Sequence, residues 1–220
     1  MKKMNKTQQK ILKAAKEVYY EVGYSGSTFQ MIAERSDTSR SLINYYYPKK
    51  QDILVCLLGN FLDSIHDYVR QLNRYDSLMT FMLTYTIYTM SMFVSEQTRN
   101  FNLDVLHRSD RDLGPYKNYT ALYVDIVKEF NINLSEEDLL YKEIAIFGAS
   151  TELLINYYNN NISVSEEKLL ELLLREICHL LLLSSFTINN AIANLWNEYR
   201  SLECPIFPLF DQPILSALNE

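Results

Sequence analysis

Glycine and proline are scarce in this chain of 220 residues, five of each, which leaves few turn-formers for the many short connections of a sheet protein. With abundant Leu, Ile, Asn, Glu and Lys, the scarcity points to helices joined by short loops, an all-α fold. Cysteine is rarer still. Cys56, Cys178 and Cys204 are odd in number and far apart, so no disulfide framework is expected and a reducing cytoplasm is the simplest setting. There is no glycine-rich phosphate loop, serine elbow or paired-histidine zinc motif. His66, His107 and His179 are scattered, and Cys178 and His179, adjacent on a helix, would point about 100° apart. Acid pairs such as Glu136-Glu137 and Glu166-Glu167 fall in helix first turns, where the helix dipole accounts for them. No catalytic residue, metal ligand or cofactor is expected, and the chain does not read as an enzyme.

Long apolar runs are also missing. After Met1-Lys2-Lys3 the sequence turns to Lys10, Lys13, Lys16 and Glu17, so no signal peptide is expected. Ser77 to Ser95 lacks charge and has about the length of a membrane span, but Thr80, Thr84, Thr86, Thr89 and Ser91 interrupt it and Asp76 and Glu96 flank it. A buried helix of a globular domain is the better reading, with no membrane partner.

What the chain does have is an uneven distribution of charge. The first fifty residues hold eight Lys and two Arg against Glu17, Glu21, Glu34 and Asp37, a surplus of six. The remainder is acidic enough to bring the whole to −6. A basic head on an acidic body suits a protein that offers one end to phosphate, and a lysine-rich solvated terminus would look the same by charge alone.

The head carries two short helical patterns meeting at a polar break, Ser36 to Ser39. Ser27 followed by Gln30 reads as a capping box with Ile32 and Ala33 inward. Asp37 sits in the turn, and Thr38 or Ser39 caps a second helix with Leu42, Ile43 and Tyr46 at apolar spacing. Arg40, Ser41, Asn44 and Tyr45 are left facing outward, donor types suited to phosphates and base edges. This is the layout of a helix-turn-helix whose second helix enters the DNA major groove. A helix from Thr7 to Val22, ended by Gly23, should pack across the pair.

Together, Ile11-Leu12-Lys13-Ala14-Ala15, Val18-Tyr19, Gly23-Tyr24, Ser27-Thr28, Ile32-Ala33, Ser39-Arg40, Tyr46-Tyr47 and Lys50 resemble the TetR family of bacterial transcription regulators over roughly the first quarter of the chain. The chain departs from the family pattern at Asp37, Ser41, Asn44 and Pro48. The resemblance implies a three-helix DNA-binding domain over 1–50, a linker helix over about 49–74, and a larger helical ligand-binding and dimerisation domain over 51–203. It implies contacts to a double-stranded DNA operator by Arg40, Ser41, Asn44 and Tyr45, with Thr28, Ser39, Tyr46, Tyr47 and Lys50 chiefly holding the backbone. The first turn of the linker helix can also hold a phosphate, aided by Lys50.

In the body, Met and aromatic side chains interleaved with hydroxyls suit a pocket for an apolar small molecule, and they suit ordinary core packing as well. Tyr85, Tyr88, Met92, Phe93, Tyr119 and Tyr123 are the candidate pocket residues. A short helix is expected from Phe101 to Ser109, then others from Pro115 to about Phe130, Ser135 to Tyr158, and 165 to 185. The leucines of that last segment are too many for one stripe, and in the family such a pair forms a four-helix bundle with a second subunit, giving a homodimer through about 135–158 and 165–185. A further helix from Ser185 ends before Pro205, and the apolar, proline-containing tail 204–220 lies on the body or on a partner. The implied function is a ligand-responsive repressor binding a palindromic operator as a dimer. The alternative is a dimeric adaptor for a protein or peptide, with a filled interior.

Overall fold

The structure, a computed structural model, describes residues 4–108 and 117–202. Among these residues it is built from ten helices and no strand. The segments Met1 to Lys3 and 204–220, with Cys204, and the expected helix start at Pro115-Tyr116 lie outside the described residues.

The head is α1 (Lys6–Gly26), α2 (Phe29–Ser36) and α3 (Arg40–Tyr46). α1 begins where Asn5 accepts the amide of Gln8 and the Gln8 side chain takes the amide of Asn5, a reciprocal cap that satisfies two of the four orphan donors. Gly23, at φ 74 and ψ 167, breaks the helical path inside α1 instead of ending it, a backbone state open to glycine and strained for other residues. The sequence places the cap of α2 at Ser27. Instead Thr28 accepts the amide of Met31, while the Ser27 hydroxyl donates back to the Tyr24 carbonyl. Asp37 closes α2 in the left-handed region, φ 46, and Ser39 caps α3 through the amide of Leu42. Ile11, Ala15, Val18, Tyr19, Ile32 and Ile43 are buried between the three helices.

α4 (Lys50–Gln71) leads into the body, where α5 (Ser77–Ser91) is the central helix. α5 packs on α4 and, around it, on α7 (Lys117–Glu129), α9 (Glu166–Leu180) and α10 (Ser185–Ser201). Phe81, Met82, Leu83, Thr84 and Thr86 are all buried, which explains an uncharged helix with apolar character on every side. α6 (Glu96–Arg108) leaves α5 at a bend of 109°, and no single helix among the described residues is long and apolar enough to cross a membrane. α6 starts five residues before the expected Phe101, because Ser95 and Thr98 exchange hydroxyl–amide hydrogen bonds that cap it there.

α8 (Glu136–Tyr158) packs on α6 and α9 and is capped by Ser135, which accepts the amide of Asp138. Most leucines of the segment 165–185 are covered within the chain, while Leu182 is exposed. Leu169, Leu170, Leu173, Leu174, Ile177 and Leu181 are buried within the chain, in a helix packed on α5, α8 and α10. That helix also stops at Leu180, short of 185, since Leu182 turns into the left-handed region at φ 65 and Ser184 caps α10. Apolar side chains stand in solvent on α1 (Tyr20, Val22) and α10 (Phe186), and three of them, Leu140, Tyr141 and Ile144, on α8. On the same exposed side, a Cβ added at Gly148 would meet nothing within 4 Å.

The head is fastened to the body mainly by α6 lying on α1. Asp104 of α6 accepts the amide of Ser25 at 2.6 Å and also the Ser25 hydroxyl. Buried side chains run in one continuous cluster from Ile11 to Leu202.

Candidate DNA-reading face and body cavity

α3 is held by Ile43, fully buried, and by its cap at Ser39, so that Arg40, Ser41, Asn44 and Tyr45 stand on the outer face. Tyr45 is 77% exposed, an unusual position for a large aromatic ring in a closed core and a suitable one for groove contact. Its ring meets that of Tyr46 edge-on at 5.1 Å, and Tyr46 is half-buried with its hydroxyl accepting the Asn5 amide at 3.2 Å. Thr28 and Ser39 are exposed, and each uses a lone pair for its cap, leaving the O–H hydrogen available to a phosphate. The Ser39 and Ser41 hydroxyls lie 2.9 Å apart.

Two of the expected backbone-holding residues are placed elsewhere. Tyr47 is only 5% exposed, with its hydroxyl near Cys56 Sγ, and burial pushes its phenol well above the usual range, so it belongs to the core of the head. Lys50 is half-buried and turned inward. Its ammonium donates to the carbonyls of Tyr24 and Ser27 at 2.7 and 2.9 Å and lies 4.5 Å from the Tyr24 ring, at the C-terminal end of α1 where carbonyls favour a cation. The first turn of α4 is occupied by a carboxylate of its own, Asp52 accepting the amide of Lys49 at 2.7 Å. That negative charge works against a phosphate in the same turn.

The body contains a cavity of about 150 Å³. Leu54, Leu58 and Leu62 of α4 form one side and Tyr85, Tyr88, Thr89 and Met92 of α5 and its end another. Asn102, Val105 and Leu106 of α6, Tyr119 and Tyr123 of α7, and Glu143 to Leu154 of α8 close the rest. Tyr24 and Gln51 reach it from the side of the head. Five of the expected pocket residues, Tyr85, Tyr88, Met92, Tyr119 and Tyr123, line it. Phe93 does not: beyond the last turn of α5 it packs against the rings of Tyr157 and Tyr158 at 5.6 and 5.7 Å.

The polar groups of the wall were not singled out from sequence. Glu143 is 8% exposed and its Oε1 has no hydrogen-bond partner, nor has the hydroxyl of Thr151. Burial pushes the Glu143 carboxyl up, against a hydrogen bond from Thr120 that lowers it. The Tyr85 phenol is pushed up to about 12 by burial, offset in part by hydrogen bonds with Ser150 and Thr89. Burial likewise holds Tyr123 well above its usual range. The signal for Glu143 was present: a lone acid at inward spacing between Leu139 and Ile146.

A capped helix-turn-helix with a donor-rich exposed face, joined to a helical body with a partly open cavity, defines a DNA-binding transcription regulator. Residues 11–56 match the model of bacterial regulatory proteins, tetR family, and the chain carries the DNA-binding module of that family. Its whole fold is similar to that of Thermus thermophilus FadR, a TetR family transcriptional repressor determined in complex with lauroyl-CoA. The identity is 16%, with 80% of this chain and 93% of that one covered, at a TM-score of 0.57. It is similar also to RolR, determined without ligand, at 9% identity, 84% and 96% coverage and a TM-score of 0.58. No curated protein sequence matches the chain.

Proposed function

We propose that the protein is a cytoplasmic, ligand-responsive repressor that binds a palindromic operator as a homodimer. The observation that carries this is the outer face of α3, where Arg40, Ser41, Asn44 and Tyr45 are solvent-exposed on a helix fixed from behind by Ile43. Arg offers a pair of donors and Asn a donor beside an acceptor to base edges, while the capping hydroxyls of Thr28 and Ser39 reach phosphate. Tyr46 stands beside this face, and Lys50 and Tyr47 act from behind it by fixing α1, α3 and α4 to one another.

The twofold partner binds through α8, whose Leu140, Tyr141 and Ile144 are exposed in the single chain. A dimer supplies the two α3 helices that two half-sites require. An effector in the cavity favours one arrangement of head and body. It shifts operator affinity only by its differential affinity for the two arrangements. The neighbour bound to lauroyl-CoA supports a body that accepts a small molecule, and the open cavity favours this reading over an adaptor with a filled interior.

The test is fluorescence anisotropy of the protein on DNA flanking its own gene, beside a scrambled duplex, at several salt concentrations. Tight binding that prefers the native DNA and falls steeply with salt is the expected result. Equal, weak binding to both duplexes would overturn the proposal and bring the adaptor forward.

A further inference from the structure

We propose that the body cavity selects a compact organic cation, a protonated amine or a quaternary ammonium, with Glu143 as its counter-charge and tyrosine rings as its walls. This rests on the reading of the cavity as the effector site.

Size comes first. A cavity near 150 Å³ is of the order that accommodates a benzene-sized molecule. It suits a ligand of one ring or a few alkyl groups rather than a long chain.

Charge comes second. Among the described lining residues Glu143 is the one acid, and no Lys or Arg lines the cavity with it. An anionic ligand would meet a carboxylate and no cation. Among the described lining residues, no basic group is present to receive the phosphates of a molecule such as the lauroyl-CoA bound by the FadR neighbour. A purely apolar ligand would leave Glu143 Oε1 buried without a partner, a group that costs free energy until something donates to it. A cationic N–H, or the polarised methyl groups of a quaternary ammonium, meets that need and supplies the opposite charge.

The rings come third. Tyr119 lies 5.9 Å from Tyr85, 6.1 Å from Tyr88 and 6.2 Å from Tyr123, centre to centre, so four phenol rings form one continuous wall. Tyr88 and Tyr119 are nearly perpendicular, at 87°, which gives the wall a corner. Aromatic faces attract cations most strongly where water is excluded. A carboxylate lining the same cavity adds a second source of negative potential to that of the rings.

The same arrangement makes binding pH-dependent. Burial raises the Glu143 carboxyl, and a cation needs it ionised, so affinity rises as pH increases through that raised value. The phenols of Tyr24, Tyr85, Tyr88, Tyr119 and Tyr123 line the cavity with it. Tyr123 feels its charge, and burial pushes Tyr85 and Tyr123 upward, so these two stay neutral over that range.

The experiment is isothermal titration calorimetry of the full chain at pH 8 with benzylammonium, benzyl alcohol and benzoate, repeated with Glu143→Gln. The cation should bind about tenfold or more tightly than the alcohol and benzoate not at all, and Glu143→Gln should bring the cation down to the level of the alcohol. The variant replaces a carboxyl by an amide of the same shape, so circular dichroism should match the parent. Binding of the alcohol or benzoate as tight as that of the cation, a preference that survives Glu143→Gln, or binding of none of the three would overturn the inference. Operator anisotropy on the same preparation separates the two claims. DNA preference retained with no cation preference sinks only the cation, whereas loss of DNA preference sinks the regulator.

Discussion

Asp104 of α6 holds Ser25 by both its backbone amide and its hydroxyl, directly beside the left-handed Gly23, and on its own helix it is two residues from Asn102 and one from Val105 of the cavity wall. The helix that lines the cavity is therefore the helix that grips the end of α1. Asp104→Ala leaves two partly buried donors without an acceptor, at a cost of about 1–3 kcal/mol. A fall in melting temperature of several degrees should follow, with weaker response of DNA binding to any effector. An unchanged melting temperature would mean that the grip contributes nothing.

Gly23→Ala tests the same joint from the other side. The added Cβ would lie 3.3 Å from Asp104 Oδ2 at a φ of 74. The left-handed backbone alone costs about 1–2 kcal/mol for an L side chain, so thermal unfolding should detect the loss.

On the DNA face, Arg40→Ala should weaken operator binding by about 1–3 kcal/mol if the guanidinium reads a base, with dimerisation intact by sedimentation velocity. Loss of the dimer in this variant would refute the role assigned to Arg40.

Tyr45 and Tyr47 should respond in opposite ways. Tyr45→Ala removes an exposed ring, so operator affinity should fall while the melting temperature holds. Tyr47→Ala empties a buried site, and by analogy with other large aromatic truncations should cost about 3–5 kcal/mol and unfold the head. Equal thermal effects of the two would contradict their placement.

Glu143 carries a pH signature without any ligand. Its folded value is raised above the unfolded one, so its stabilising contribution is present at low pH and is lost as pH rises through the raised value. Glu143→Gln does not titrate. The melting temperature of the variant relative to the parent should therefore increase from pH 5 to pH 8, and a flat difference would show that the carboxyl is solvated. Ile144→Glu, on the exposed face of α8, should convert a dimer to monomers without affecting the fold.

Local chemistry was legible in the sequence where it is decided locally. The caps at Ser39, Ser135 and Ser165, the turn at Asp37 and the inward Ile43 all follow from side chains acting within four residues. The tyrosine wall was legible as helical spacing. What the sequence could not give was which neighbour covers each face. The leucines of α9 looked unsatisfied by one chain because the threefold coverage by α5, α8 and α10 is a tertiary fact. The inward turn of Lys50 depends on carbonyls of Tyr24 and Ser27, more than twenty residues earlier. Glu143 stands at inward spacing in the sequence, but that it lines a cavity with tyrosines of α5 and α7 is a tertiary fact.

The pairing of Arg35 with Glu17 and Glu21, at 3.3 and 2.7 Å, changes what an approaching duplex senses. Lys10 is likewise held beside Asp37 and Lys50 is turned inward, so fewer cations are free for close contact, and Lys6, Lys13, Arg40 and Lys49 remain exposed along the surface of the head. At long range the head's surplus of positive charge still attracts, and an acidic body adds a repulsion that turns the molecule head-first. The protein would scan DNA lightly, with short dwell times on random sequence, and depend on the few outward side chains of α3 to stop.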